Sequence, residues 1–234
     1  MKPRKKPRKI SGKQPARASR EPLSRERIEL AALDLIEEDG LETFSTRRLG
    51  ERLGCEAMSI YHHYPSKSHL LNALLDRVLA AQPLPPQDLD PVERIRQLGY
   101  CWRQIGHDHP KLFQYIAMHR LNTRTGLGFL NDVITSFGRL GLDAETSARL
   151  FRSFSYYVTG AALDETSGYA KGPSATESVP DEELERDFPQ VAAAGPFFKP
   201  QHFERTFAAG LDIFIAAIRD LADTAKQTKP QGRA

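Results

Sequence analysis

Two neighbouring clusters of side chains carry the chemistry most readily read from this sequence. Ser45-Thr46-Arg47 sets two hydroxyls and a guanidinium at the start of a helical stretch, where free backbone N–H groups would join them in facing a phosphate. Ala57-Met58-Ser59 offers small or flexible side chains that suit close approach to base edges. An apolar group there can touch a thymine methyl, and a hydroxyl can meet several edges. Tyr61 and His63 are longer and suit the flanking phosphates. Lys67 places a cation at a helix N-terminus, which the macrodipole disfavours by about 0.3 kcal/mol or more. A DNA phosphate is the partner such a lysine calls for. Plainer readings exist beside these: Tyr61 as packing, His63 as a solvated histidine, Arg48 and Arg52 as a solvated face.

Catalytic chemistry finds little support. The chain has no Gly-rich phosphate loop, no nucleophile elbow and no metal motif. His107 and His109, two apart, would point to different sides of a helix, and Cys55 and Cys101 fit neither a metal nor a disulfide framework. No cofactor, no metal and no enzymatic activity are therefore expected. The composition, 40% hydrophobic and 27% charged over 234 residues, is that of a soluble protein with room for one large or two modest domains. Apolar runs are too short for a membrane span, and the N-terminus lacks the apolar stretch of a secretory signal. A reducing cytoplasm is the natural address. The net charge of +3 hides nine Lys/Arg and no acid in residues 1–20, which leaves −6 on the rest. Residues 1–22 are expected to form a disordered basic arm that attracts phosphate polymers or anionic membranes, although a solubilising tail would look the same.

The elements that must position these residues follow from periodicity. Ile28, Ala32, Leu35 and Ile36 mark a first amphipathic helix from Ser24 to Gly40. Ser45–Leu53 is expected as a second helix, with a turn at Gly54, and Ala57–Tyr64 as a third, stopped by Pro65. Ser66 caps a fourth carrying Leu70, Leu71, Leu74, Leu75 and Val78. Residues 82–91 hold four prolines and break the pattern. Helices follow at Val92–His107, Pro110–Arg120, Gly128–Leu140 and Ala144–Tyr169. Residues 170–199 read as a long loop with one short helix at Asp181–Phe188, and a last helix runs over Gln201–Ala225. Strand-like alternation is absent, so the fold is all-α. A three-helix unit at 23–81 is joined by its linking helix to a helical bundle at 91–225, and residues 226–234 form a polar tail.

Short helices separated by a Gly-containing turn are the geometry that inserts one helix into a major groove. The run from Phe44 to Cys55, FSTRRLGERLGC, followed by SIYHHYPSKSHLL from Ser59 to Leu71, resembles the tetracycline-repressor (TetR) family over residues 24–80. Gly50 and Cys55 depart from the alanine and valine usual there. The resemblance implies a homodimeric, ligand-responsive DNA-binding regulator whose C-terminal domain dimerises as a four-helix bundle and holds an inducer. It implies a DNA-contacting set of Ser45, Thr46, Arg47, Ala57, Met58, Ser59, Tyr61, His63 and Lys67. The segment 160–165 resembles the stretch from which the drug-sensing branch supplies a carboxylate, here the shorter Asp164, and His119 lies near its metal-ligating histidine. Aromatic and polarizable residues on the middle helices, Trp102, Phe113, Met118, Phe129, Phe154 and Tyr157, are the other candidate ligand contacts. Phe207, Leu211, Phe214 and Ile218 recur at three-and-four spacing on the last helix and form a candidate dimer seam, although a subunit core would explain the same stripe. The expected partners are operator DNA, a small-molecule inducer and a second copy of the chain, with no membrane. The alternatives are a non-specific nucleic-acid or membrane-surface binder driven by the basic arm, or an enzyme on a helical scaffold.

Overall fold

A computed structural model describes residues 22–167 and 177–228. The basic arm up to residue 21, residues 168–176 and the tail from 229 onward lie outside the described residues. Every regular element among those described is helical. Ser24 caps α1 (Arg25–Asp39) by accepting the Arg27 N–H at 3.2 Å, and the helix ends at Gly40. Ser45 caps α2 (Thr46–Leu53), and Ser66 caps α4 (Lys67–Ala81), each through its hydroxyl. Between them, α3 (Ala57–Tyr61) is shorter than the sequence suggests. Pro65 biases Tyr64 away from helical backbone, and Ser66 must be extended to cap α4, so the helix gives way to a turn.

Ile28, Ala32 and Ile36 of α1 meet Leu49 of α2, Ile60 of α3, and Leu70 and Leu74 of α4 in a core with no solvent access. That core does not stop at the domain boundary. It continues into Ile105 of α5 (Pro91–Asp108), Leu112, Phe113 and Ile116 of α6 (Pro110–Met118), and Ala162 of α8 (Ala144–Ser167). The proline-rich connection is also pinned. Arg94, 1% exposed, donates to the Pro85 and Pro86 carbonyls at 3.1 and 3.0 Å and to the Asp132 carboxylate at 2.5 Å on α7 (Arg124–Gly138). A guanidinium this buried persists only because nearly every donor is matched, and removing its partner would leave an uncompensated charge. α7 starts four residues earlier than periodicity suggests, because Thr123 caps it by accepting the Gly126 N–H.

A second core joins α5, α7, α8 and α11 (Phe203–Thr228). Phe207, Leu211, Ile215 and Ile218 of α11 fill it beside Phe137, Phe154 and Val158. Tyr157 stacks on Phe207 and donates to its carbonyl at 2.6 Å, fastening α8 to α11. The region expected as one long loop is more ordered where described: α9 (Asp181–Asp187) and α10 (Pro189–Ala194) are followed by two 3-10 turns. Both helices lack a buried residue, so no apolar stripe announced the second of them.

Candidate nucleic-acid interface and ligand cavity

The turn between α2 and α3 depends on two glycines. Gly54 is left-handed, with φ 69° and ψ 34°, which costs a residue without Cβ nothing. Gly50 lies so close to the returning chain that a Cβ would sit 2.8 Å from the Cys55 carbonyl oxygen. The departure from alanine at this position thus goes with a tight turn. α2 is braced from behind: Arg48 reaches Asp39 at 2.5 Å and Arg52 reaches Glu38 at 2.5 Å, both on α1. Arg48 is half-buried and Arg52 exposed, so both keep the surface position read for them, with these ion pairs added.

α3 turns Ile60 inward with no exposure, while Met58 is 62% exposed and Ala57, Ser59 and His63 are half-buried at the surface. Thr46 and Tyr61 hydroxyls lie 3.1 Å apart, which ties the start of α2 to the end of α3. Arg47 stands free of the core and pairs with exposed Glu51 one turn on. Lys67 is half-buried, and its Nζ donates to the Phe44 carbonyl at 2.8 Å and sits 5.2 Å from the Phe44 ring centroid. Its charge is therefore partly offset within the chain, a partner that sequence spacing could not supply. Ser45, Thr46, Tyr61 and Lys67 share one edge, where the starts of α2 and α4 meet the end of α3. Behind this edge Tyr64 donates to Glu29, which also holds Arg77 of α4 at 2.7 Å. Burial, and then the bond to Glu29, pushes the Tyr64 phenol above its ordinary value, so the hydroxyl remains a donor.

A cavity of about 560 Å³ opens between α5, α6, α7 and α8. Trp102, Met118, His119, Phe129 and Phe154 line it, as their residue types suggest. Three candidate contacts do not. Phe113 is fully buried behind Trp102, edge to face at 5.5 Å; Tyr157 faces α11; Asp164 is exposed on α8, away from the wall. A helical stripe fixes which residues turn inward, not which of them border empty space. The floor is apolar, with buried Leu98, Ile116, Val133 and Val158. Trp102 is held by an indole N–H bond to Thr159 at 2.9 Å. Arg120, Asn122 and Arg152 at the mouth went unrecognised; the one signal was the run of Arg152, Ser155 and Thr159 beside the apolar stripe of α8. No group of three or more His, Cys, Asp or Glu among the described residues could hold a metal ion.

The last helix corrects the expected dimer seam. Phe207, Leu211 and Ile218 are at most 1% exposed within one subunit, and Phe214 is half-buried against Tyr157. They form the subunit's own core because α5 and α8 cover them. The outward side of α11 instead carries Ala209, Ile213, Ala216 and Ala217, and α8 presents Tyr156 and Gly160.

A tight helix-turn-helix on a helical bundle with an internal cavity defines a DNA-binding regulator with a small-molecule site. Residues 29–74 match the family model for bacterial regulatory proteins of the tetR family, and residues 82–222 match the tetracyclin repressor-like C-terminal domain. The chain belongs to the TetR family of transcription regulators, whose members act on operator DNA and respond to small molecules, and it is not an enzyme. The class A tetracycline repressor from transposon 1721 of Escherichia coli is 27% identical over 198 residues, covering 79% of this chain and 85% of that protein. The repressor DrrR1 of Streptomyces coeruleorubidus is 27% identical over 154 residues, 65% of this chain, and the match spans 57% of its length. The Streptomyces coelicolor protein ActR, crystallised with (S)-DNPA, superposes with a TM-score of 0.67 at 26% identity, over 86% of this chain and 98% of that one. No helix among the described residues is long and apolar enough to cross a membrane.

Proposed function

We propose that the protein is a cytoplasmic repressor that binds a palindromic operator as a homodimer and leaves it when an organic ligand fills the cavity. The observation that carries this reading is the shared edge of Ser45, Thr46, Tyr61 and Lys67, with Met58 projecting beside it. Phosphate-seeking groups flank a short helix whose outward residues are small or flexible, the arrangement needed to seat it in a major groove. One such helix makes too few base contacts for useful specificity, and two-fold pairing doubles the site. The outward apolar side of α11 and the neighbouring side of α8 suit that pairing: Tyr156 and Ile213 are 69% and 73% exposed, and the small residues around them allow close helix approach. For the ligand, the cavity has the size of small-molecule sites, and ActR, which shares the fold, was crystallised in complex with (S)-DNPA.

Selection of bound DNA from a random pool tests this reading. It should return a palindrome with half-sites roughly 34–36 Å apart, preferred over random DNA by about a thousandfold or more. Recovery without a consensus would sink it and favour a sequence-blind binder driven by the basic arm.

Lys67→Ala should weaken binding to every sequence alike and lower the log–log salt slope by about one per subunit. Substitutions at Ala57, Met58 or Ser59 should instead change which bases are preferred. Fluorescence anisotropy over a salt series separates the two. Unchanged affinity and slope on removing Lys67 would reduce its role to holding the Phe44 turn.

A further inference from the structure

The formal charges on the cavity wall are of one sign. His119, Arg120, Asn122, Arg152, Ser155 and Thr159 line it, and no Asp or Glu among the described residues does. Several other arginines of the same domain are matched: Arg94 with Asp132, Arg96 with Asp212, Arg103 with Glu165 and Glu204, Arg149 with Glu145. Arg120 and Arg152 have no ion pair with a described residue. The Arg152 guanidinium lies 5.7 Å from the Tyr156 ring centroid, a contact that leaves its charge uncompensated. The polarity is also arranged in depth. Leu98, Ile116, Phe154 and Val158 at the floor are buried, whereas Met118, His119, Arg120, Asn122 and Arg152 at the mouth are exposed.

Such a site rejects a cation twice over, by repulsion at the rim and by desolvation against the floor, where no carboxylate would receive it. A metal-chelated drug, which the resemblance to the drug-sensing branch brings to mind, lacks its carboxylate here, because Asp164 is not on the wall. A neutral hydrocarbon would fill the floor and leave the arginines unused. We propose that the cavity takes an organic acid: a flat aromatic body between Trp102, Phe129 and Phe154, with a carboxylate or sulfonate at the mouth against Arg120 and Arg152. Arginine supplies a planar fork that matches a carboxylate with two parallel hydrogen bonds, and covering the mouth with the ligand strengthens that pairing by excluding water. The inference rests on the cavity being the ligand site, and the experiment separates its failure from failure of that reading.

Trp102 is the single tryptophan of the chain and stands in the cavity wall, so its emission reports occupancy. Anthracene-2-carboxylate, anthracene-2-carboxamide and 2-anthrylmethylammonium share one apolar body and differ in charge; each is titrated into the full-length protein at two ionic strengths. The carboxylate is expected to bind at least about tenfold more tightly than the amide, with the ammonium weakest. The margin should shrink with salt. In the double variant Arg120→Gln, Arg152→Gln, whose two sites are exposed and outside the core, carboxylate and amide should bind alike. Circular dichroism confirms that the variant is folded. Equal binding of acid and amide to the unaltered protein, or a preference for the acid that survives the double substitution, would overturn the organic-acid assignment while leaving the cavity as a ligand site. Absence of quenching by all three probes would overturn both.

Discussion

Ile213→Asp is expected to yield a folded monomer whose operator affinity falls by roughly a thousandfold, to near the level of non-specific binding. Ile213 is 73% exposed in the single subunit, so the change buries no charge until a second subunit arrives. At that point two carboxylates would be desolvated across the two-fold axis, and pairing would fail. Leu211→Asp, two residues away but with no exposure, should act differently. It puts a charge in the subunit core and should destabilise the fold by about 4 kcal/mol or more, so that little native protein is recovered. Sedimentation velocity, thermal melting and operator anisotropy on the two variants give the comparison. A dimeric Ile213→Asp protein with full operator affinity would move the interface away from this side of α11.

That pair of variants also shows where sequence reading reached its limit. The recurrence of Phe207, Leu211, Phe214 and Ile218 correctly marks one face of a long helix as apolar. Periodicity reports burial and is silent about what does the burying. The side proposed for pairing was harder to see because alanines and a lone isoleucine make a weak stripe beside four large residues. In the helix-turn-helix the situation is reversed. Local signals agree with one another there: serine caps, Gly54 at the turn, Pro65 after the third helix, and inward Leu49 and Ile60. Hence nearly the whole unit was legible, down to the side of α3 that faces outward.

The cavity was legible only in part, for a related reason. Trp102, Phe129 and Phe154 were identifiable as interior aromatics, but the floor and rim are assembled from four helices whose mutual rotation no local pattern encodes. Phe113 and Tyr157 are equally aromatic and equally periodic, yet they pack on neighbouring rings. Arg94 was likewise invisible. One arginine among many on a helix gives no sign that it will hold the Pro85–Pro86 connection and α7 together.

Removing the Glu37 and Asp76 carboxylates together should disconnect the cavity from the DNA-binding unit. Glu37 of α1 accepts the free N–H groups of Lys111 and Leu112 at 3.1 and 3.0 Å, so it caps α6 from the other domain. A carboxylate at a helix start also complements the macrodipole. Lys111 adds a bond to the Glu38 carbonyl at 2.5 Å. Seven residues beyond Ile116, past the cavity rim, Thr123 donates to Asp76 of α4. The segment that borders the cavity is therefore tethered at one end to α1 and at the other to α4, and any shift of it on filling of the cavity must drag one or both. Operator binding tolerates little of this, since the two recognition helices of a dimer must keep a spacing of roughly one DNA turn. For the unaltered protein a ligand should weaken operator binding by about 5- to 150-fold, and operator should weaken ligand binding by the same factor. Glu37→Ala combined with Asp76→Ala is expected to bind both partners separately with near-normal affinity while that factor collapses toward one. The measurement is a linkage square: ligand affinity by Trp102 quenching with and without operator, and operator affinity with and without ligand. A coupling factor that survives loss of both tethers would mean that the signal travels through the shared apolar core of Ile105, Phe113 and Ala162 instead.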